Sequence, residues 1–223
     1  MRFVRWVRAR HRQWTLVLAE TSANATFIAR LSFGQKMANR LFFALWPDHQ
    51  TRADLHTAAK GVLMKYPPGG RPSAARNLHL TLLFLGNEVS AEHEAAARRA
   101  AAAVRHAPFS FSLNIASSFR ESSAWWIGSR DAAVELAELR RQLRDRVHGA
   151  GVGYDQKRFA PHVTFLGTAP QMLPPTQIKP IEWQVSEFVL VRSLFGAAPA
   201  AYEVIDRWPL LAPEAAAEQF QLL

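Results

Sequence analysis

Cysteine is absent from this 223-residue sequence, which excludes disulfide bonds and thiolate-bound metals. The sequence also lacks long apolar runs, since none approaches the roughly 18 residues that a membrane-spanning helix requires. It contains no HExxH pattern or similar close spacing of metal ligands. These absences exclude small disulfide-stabilised domains and helical membrane proteins. We expect a cytoplasmic protein that needs neither a metal nor another cofactor.

Hydrophobic residues make up 49% of the sequence, enough to build a folded core. The polar, highly charged composition of disordered chains is not found. The length suits one ordinary domain, or two small lobes that share a cleft. The formal net charge of +9 is compatible with a phosphodiester substrate but does not by itself indicate one.

Acidic residues are scarce at the N-terminus, where residues 1–36 contain seven Lys or Arg and one acid. Three interpretations of this segment stay open. It is a targeting segment, an RNA-binding arm with Arg5, Arg8 and Arg12 on one helical face, or an appended leader without a folded role. The third is favoured because a core strand is predicted directly after Met37.

The folded core is therefore predicted to exclude residues 1–36. A single domain is expected to span 37–213, and the polar, alanine-rich residues 214–223 are expected to form a frayed tail. Apolar periodicity predicts strands at 40–47, 78–85, 109–115, 124–129, 161–166, 182–195 and 200–211. Helices are predicted at 48–66, 90–108 and 131–148.

One short pattern occurs twice: "HLTLLFLG" begins at His79 and "HVTFLG" begins at His162. From Phe42 to His79 is 37 residues, and from Trp126 to His162 is 36. Each interval passes through a predicted strand, helix, turn and strand. A repeat of this period is typical of duplicated structural units. The spacing predicts two pseudo-symmetric strand–helix–strand lobes around a shared groove.

The repeated histidine and threonine suit phosphodiester chemistry. Residues two apart in a strand project from the same face, so His79 projects with Thr81 and His162 with Thr164. Histidine titrates near pH 6.5, so one imidazole can accept a proton while the other donates one. Hydroxyl groups can donate hydrogen bonds to phosphate oxygens, where charge accumulates. No metal is required by this scheme.

Each motif also has a structural explanation. A single His-x-Thr in a strand is more often structural, and any pair of histidines could bind a metal ion. Two copies, each in an apolar strand followed by glycine and each ending an equivalent unit, argue against coincidence.

The sequence resembles the two-histidine phosphoesterases, and more narrowly the RNA 2′,3′-cyclic phosphodiesterases, also called the 2′-5′ RNA ligase family. The resemblance covers residues 37–223 and rests on "RLFFALWP", "NLHLTLLFLG", "WWIG", "FAPHVTFLG" and "LVRSLFGAAPAAYEVIDRWPL". It implies an α+β, bilobal fold, in which two antiparallel sheets face a central cleft and helices lie outside.

The same resemblance implies metal-independent hydrolysis of a terminal RNA 2′,3′-cyclic phosphate to a 2′-phosphomonoester, and leaves reversible 2′-5′ RNA ligation open. It makes His79 the proton donor and His162 the proton acceptor. Thr81 and Thr164 would hold the phosphate. The expected partners are RNA ends with a 2′,3′-cyclic phosphate or small cyclic nucleotides, with no membrane, and the chain is expected to be a monomer.

The sequence departs from the family pattern at Gly167. Members commonly carry an arginine three residues after the second threonine, and Gly167 occupies that position here. Three cations are candidates to replace this arginine at the phosphate: Arg158, Arg120 and Lys157. Each is otherwise expected to be a solvated surface residue.

Aromatic residues near the groove are candidates to stack a terminal base, and Phe119 and Trp125 are the two that we select. Core packing is the alternative for both. Two other functions also stay open for the whole chain: hydrolysis of a small cyclic or 2′-5′-linked nucleotide, and non-catalytic nucleotide binding.

Overall fold

The computed structural model of the protein describes residues 3–9, 13–19, 39–70, 72–131, 133–194 and 201–211. The chain divides into two compact units, Met1–Met37 and Ala38–Leu223. In the first unit, strands β1 (Phe3–Ala9) and β2 (Gln13–Ala19) form an antiparallel hairpin. The helical-arm interpretation is therefore wrong for Arg5 and Arg8, which lie in β1. Arg12 and the predicted tail 214–223 lie outside the described residues.

The second unit, in its described residues, contains eight strands and three α-helices. The strands are β3 (Arg40–Leu45), β4 (Leu80–Gly86), β5 (Phe109–Ser118), β6 (Trp125–Gly128), β7 (His162–Leu166), β8 (Thr176–Val185), β9 (Glu187–Leu194) and β10 (Ala201–Pro209). The helices are α1 (His49–Lys65), α2 (Ala91–Ala102) and α3 (Val134–Gly149), and a 3₁₀ turn at Ala75–Asn77 precedes β4. None of these helices is long and apolar enough to cross a membrane.

The eight strands of this unit form one antiparallel sheet in the order β10-β9-β3-β4-β7-β6-β5-β8. The two His-x-Thr strands, β4 and β7, are neighbours at its centre and are joined by one residue pair, Leu80 opposite Val163. Their other neighbours pair with them over several residues. The predicted α+β class with antiparallel strands is confirmed. The expected pair of sheets is one continuous sheet in the described residues, because the β4–β7 pairing joins its two halves. The division into two lobes around a cleft stays a prediction.

The order of elements repeats around the sheet. The run β3–α1–β4 ends at the first motif and the run β6–α3–β7 ends at the second. The β4–β7 junction divides the sheet into a first half, β10-β9-β3-β4, and a second half, β7-β6-β5-β8. Helix α1 connects two strands of the first half but packs against β8 of the second, and α3 connects two strands of the second half but packs against β4 of the first. Each helix therefore connects the two halves across the β4–β7 junction.

Helix α1 begins where the sequence indicates. The Asp48 side chain accepts a hydrogen bond from the backbone N–H of Thr51 at 2.7 Å, which caps the first turn. Inward residues at three- and four-residue spacing bury one face of the helix, and they include Leu55, Ala59 and Val62. The prediction of a helix at 48–66 is confirmed.

Strand β3 contributes side chains to both faces of the sheet. Because successive residues of a strand point to opposite faces, Leu41 and Phe43 enter the main core, while Phe42 and Ala44 point the other way. Phe42 and Ala44 form a second, smaller cluster with buried valines of β9. This second face also carries the first histidine, because the ring of Phe42 lies 4.9 Å from that of His79.

Three predicted boundaries are wrong. Helix α2 ends at Ala102 instead of 108, because the N–H groups of Ala103 and Val104 bond three residues back and tighten the last turn. Helix α3 begins at Val134, not at 131. The segment predicted as one strand at 182–195 belongs to two, β8 and β9, separated at Ser186.

A group of charged side chains joins α2 to strands β9 and β10 at one edge of the sheet. Glu94 of α2 accepts hydrogen bonds from Asn39 at 2.9 Å, Arg98 at 2.9 Å and Arg192 at 3.2 Å. Arg98 also pairs with Asp206 of β10 at 2.5 Å. The Glu94 side chain is only 15% exposed, so these pairs are less screened than ordinary surface pairs. The network fixes the position of β10, which supplies one aromatic ring to the site described next.

Candidate active site

The two His-x-Thr motifs meet in antiparallel register. With Leu80 opposite Val163, the next positions place His79 opposite Thr164 and Thr81 opposite His162. Directly opposed Cβ atoms in a sheet lie about 5 Å apart and diagonal ones roughly 7–8 Å. The two imidazoles are therefore diagonal to each other, each beside the hydroxyl of the other motif. The register thus brings two imidazoles and two hydroxyls to one place on the sheet.

Beyond this junction the strands part, and their free backbone groups find other partners. The carbonyl of Leu82 in β4 accepts a hydrogen bond from Arg140 Nε at 3.1 Å, and that of Phe84 accepts one from the N–H of Asp155 at 2.9 Å. On the opposite strand, the carbonyl of Phe165 accepts one from the N–H of Ser73 at 2.8 Å. Helix α3 and two loops thus hold the strands apart while satisfying their edges.

Both histidines make the same backbone contact. His79 Nδ1–H donates to the carbonyl of Asn77 at 2.7 Å, and His162 Nδ1–H donates to the carbonyl of Ala160 at 2.5 Å. With the proton held on Nδ1, the Nε2 atom of a neutral ring is an acceptor, and that of a charged ring is a donor. Each imidazole can therefore act as a base when neutral and as an acid when charged, through the same atom.

Burial lowers the pKa of both imidazoles, because it disfavours their charged form. It lowers the pKa of His79 to about 4, with the charge of His162 acting in the same direction and the carbonyl of Asn77 opposing it. Burial also lowers the pKa of His162, again opposed by a backbone carbonyl, that of Ala160. Without a ligand, both imidazoles are neutral at pH 7.

The aromatic surroundings of the two histidines differ. Three rings surround His79: Phe42 at 4.9 Å, Trp46 at 5.6 Å and Tyr202 at 5.1 Å between ring centroids. His162 is contacted edge-on by Phe119 at 4.7 Å. The first histidine is therefore enclosed by apolar surface on several sides.

The prediction that Trp125 stacks a terminal base is wrong, and the alternative of core packing is the one observed. Trp125 is fully buried, and its Nε1–H donates to the carbonyl of Gln171 at 2.9 Å, so it belongs to the core. Its neighbour Trp126 points to the other face, where it lies opposite Thr164 in the β6–β7 pairing. The ring of Phe119, the other predicted aromatic residue, lies 5.4 Å from Trp126. Phe119 and Trp126 together line the His162 side of the site.

Sequence reasoning missed Trp46, Tyr202 and Trp126. Strand alternation could have identified Trp126. It lies two residues before Gly128, which is opposite His162, so Trp126 and not Trp125 points to the face that carries this histidine. Trp46 could have been identified only with the β3–β4 register, in which it follows Leu45 opposite Leu80 and so lies beside His79. Tyr202 comes from the distant β10, and no local pattern indicates its contact with the site.

The predicted cations are not gathered at the histidines. Arg120 and Arg158 are exposed, and Lys157 pairs with Asp155 at 3.3 Å. In the described part of the chain, no hydrogen bond or ion pair joins these three to either histidine. Gly167 is exposed, and a Cβ atom added there would meet no other atom within 4 Å.

The site also differs from a metal centre in its side chains. Among the residues described above, no three His, Asp or Glu side chains are grouped as a bound metal ion would require. A groove of about 560 Å³ lies between α1 and β8, but neither His-x-Thr motif lines it. The arrangement between β4 and β7, by contrast, brings reactive groups to a common point.

Gly128 should be needed for the position of the second histidine. It lies opposite His162, and an added Cβ would approach Trp126 Cζ3 to 2.9 Å and the backbone oxygen of Pro161 to 3.1 Å. Replacing Gly128 with alanine should lower kcat/KM by roughly 10- to 100-fold, since a shift near 1 Å has that effect. Gly61→Ala is the matched control, because space around Gly61 is open. Equal activity of the two variants would contradict this role.

Comparison with known proteins gives consistent matches. A sequence model of the 2′-5′ RNA ligase superfamily matches residues 46–196. The chain is 36% identical over 175 residues to an RNA 2′,3′-cyclic phosphodiesterase of Escherichia coli (strain K12), an alignment that covers 77% of this chain and 96% of that protein. It is 32% identical over 183 residues to a protein of the same name from Thermus thermophilus, covering 77% and 90%.

Solved structures agree with the sequence matches. The crystal structure of E. coli LigT complexed with 3′-AMP superposes with a TM-score of 0.66 at 34% identity, covering 77% of this chain and 98% of that one. The crystal structure of TT0787 from T. thermophilus superposes with a TM-score of 0.65 at 28% identity, covering 78% and 99%.

Proposed function

Because this chain belongs to the 2′-5′ RNA ligase superfamily, we propose that it is an enzyme that hydrolyses terminal RNA 2′,3′-cyclic phosphates to 2′-phosphomonoesters. The observation that carries the proposal is the register of β4 and β7, in which each imidazole neighbours the hydroxyl of the other motif. Curated relatives with this activity align over most of the chain. Non-catalytic nucleotide binding is not favoured, because both motifs keep their acid–base groups.

In the proposed reaction, His162 acts as the base and His79 as the acid. Nε2 of His162 takes a proton from water, whose oxygen forms a bond to phosphorus. The bond from phosphorus to the 3′ oxygen breaks in line, and Nε2–H of His79 gives its proton to that oxygen. The products are a 2′-phosphomonoester and a 3′-hydroxyl. Attack by the 5′-hydroxyl of another RNA end in place of water would give a 2′-5′ linkage.

The threonine hydroxyls are proposed to bind the non-bridging oxygens. Thr81 lies beside His162 and Thr164 beside His79, so each hydroxyl faces the phosphate from the side of the other motif's histidine. Hydrogen bonds to oxygens that gain charge in the transition state stabilise it more than the ground state.

The nucleobase is proposed to stack on the Phe119–Trp126 pair. These two rings line the side of His162, and base–aromatic stacking tolerates any base. Such a surface accepts both an RNA end and a small cyclic nucleotide. A monomeric, cytoplasmic enzyme remains part of the proposal.

The test is incubation of the full chain with 2′,3′-cyclic AMP in the presence of EDTA, with separation of 2′-AMP from 3′-AMP. We expect 2′-AMP as the product at an undiminished rate. Formation of 3′-AMP, or a rate abolished by EDTA and restored by a divalent ion, would contradict the proposal.

An arginine at position 167 should raise activity. A side chain at 167 enters open space, and family members commonly have an arginine there. Gly167→Arg should raise kcat/KM roughly threefold to tenfold, corresponding to one added charge contact of about 1 kcal/mol with the phosphate. Gly167→Met is the control for side-chain size. An equal effect of methionine, or no gain with arginine, would count against a phosphate contact from this position.

Residues 1–36 are proposed to be dispensable. A chain beginning at Met37 keeps every element of the second unit, including both motifs. We expect kcat/KM within about twofold of the full chain, since the second unit keeps both motifs and the strands and helices that hold them. A large fall in kcat or melting temperature on removing residues 1–36 would show that they bind substrate or stabilise the fold.

A further inference from the structure

The three rings around His79 form an enclosure that the reaction scheme leaves unexplained. We call Phe42, Trp46 and Tyr202 the aromatic cage. Trp46 is nearly parallel to the imidazole, at 13°, and Phe42 is inclined by 30°. Phe42 and Trp46 lie four positions apart on one extended segment, which separates their Cα atoms by roughly 13 Å. Since both rings lie within 6 Å of His79, the imidazole is sandwiched between them.

Tyr202 closes a third side of this sandwich. Its ring meets that of His79 at 75° and that of Phe42 at 88°, an edge-to-face arrangement in both cases. The Nδ1 edge of His79 is occupied by the carbonyl of Asn77. The remaining Nε2 edge is the one that can face the second motif across the β4–β7 junction.

Among the described residues, few charged and titratable groups lie near His79. Two of them, His162 on β7 and Tyr202 on β10, face it from neighbouring elements. In the described residues, no carboxylate hydrogen-bonds or ion-pairs with His79 or His162. Within this part of the chain, the pair has no acidic partner of the kind that commonly charges a catalytic histidine. A bound anion would bring a negative charge into contact with these rings.

We infer that the aromatic cage holds His79 as a neutral imidazole in the free enzyme, and that the bound phosphodiester supplies the negative charge with which His79 takes up the proton it later donates. This inference rests on the proposed function and makes Trp46 and Tyr202 positioning residues. The proton comes from bulk water as the anion binds.

The enclosure has a chemical benefit. A neutral His79 is not a proton donor, so the free enzyme holds no acid form of this histidine. The donor then forms only where an anion is present, which couples the acid form to the loaded site. Burial of the ring disfavours its charge, and the phosphate charge reverses that preference.

The experiment is a pH titration of the full chain, labelled with ¹³C at histidine Cε1, followed by NMR. Sulfate is the probe, because it is a tetrahedral anion that does not itself titrate between pH 4 and 9, and sodium chloride of equal ionic strength is the reference. In chloride, His79 should titrate near pH 4. In sulfate, its midpoint should rise by about one unit or more, equivalent to tenfold tighter sulfate binding by the charged form.

Variants separate the cage from general burial. Trp46→Ala should raise the chloride midpoint of His79 by about one unit, because water reaches the ring, while Trp46→Phe should keep it near the wild-type value. Tyr202→Leu should act in the same direction as Trp46→Ala. Phe119→Leu, beside His162, is the matched control and should leave the His79 midpoint in place.

A His79 midpoint that does not move with sulfate, or one that stays unchanged in folded Trp46→Ala and Tyr202→Leu proteins, would overturn the inference. The outcome is separable from that of the proposed function. Hydrolysis of 2′,3′-cyclic AMP with unchanged titrations would refute the cage alone. The expected titrations without hydrolysis would refute the proposed function and leave the cage in place.

Discussion

Replacing His79 or His162 with alanine should lower kcat for 2′,3′-cyclic AMP hydrolysis by roughly 10²–10⁴, the usual effect of losing a positioned acid or base. Both rings are fixed by a backbone carbonyl at Nδ1 and lie diagonally across the β4–β7 junction. Each variant keeps one imidazole and both hydroxyls. Steady-state kinetics in EDTA over a range of pH is the measurement.

The double variant should lose less than the product of the two single losses, because an acid and a base that act on one bond work as a unit. His93→Ala is the matched control: His93 is an exposed histidine of α2. It should keep wild-type kcat. Full turnover by a folded His79→Ala protein would contradict the assignment of roles.

Replacing either threonine with valine should lower kcat/KM by about 10- to 10³-fold. Valine has nearly the same shape, so the strand and its packing remain while the hydroxyl donor is lost. Thr81 and Thr164 each lie opposite the histidine of the other motif, so their losses should be comparable. The measurement is kcat/KM for the cyclic nucleotide and affinity for 2′-AMP with each variant.

Serine provides the control for this prediction, since Thr81→Ser and Thr164→Ser keep a hydroxyl at the same Cβ. They should recover most of the activity that valine removes. If serine and valine variants were equally impaired, the threonine methyl group, and not its hydroxyl, would be the functional part. That result would remove the phosphate-binding role from both residues.

Much of the site was predictable because strand alternation is a strong local rule. The placement of His79 with Thr81, and of His162 with Thr164, needs only a period of two. The predicted order strand–helix–strand before each motif is confirmed. Membership of the 2′-5′ RNA ligase superfamily, predicted from the paired motifs, is confirmed by the comparisons.

Register and long-range contacts were not predictable. Leu80 lies opposite Val163, which makes each histidine a neighbour of the other motif's threonine. This register depends on how two strands that are distant in the sequence pair with each other. No local feature distinguishes Trp125 from Trp126, since both are tryptophans of the same strand. The pairing of β6 with β7 shows which one faces the site. The sequence-based prediction missed the first half of β8. Lys179 and Pro180 interrupt the alternation of apolar and polar residues in this edge strand.

The pH dependence of kcat in EDTA tests the central claim most directly, because the claim is that two histidines share one proton transfer without a metal. We predict a bell-shaped profile whose two limbs belong to the coupled pair, with its basic limb at higher pH than that of kcat/KM. The residual activity of His79→Ala should lack the basic limb, and that of His162→Ala should lack the acidic limb. A profile that is flat between pH 4 and 9, or limbs that both persist in either variant, would contradict the account.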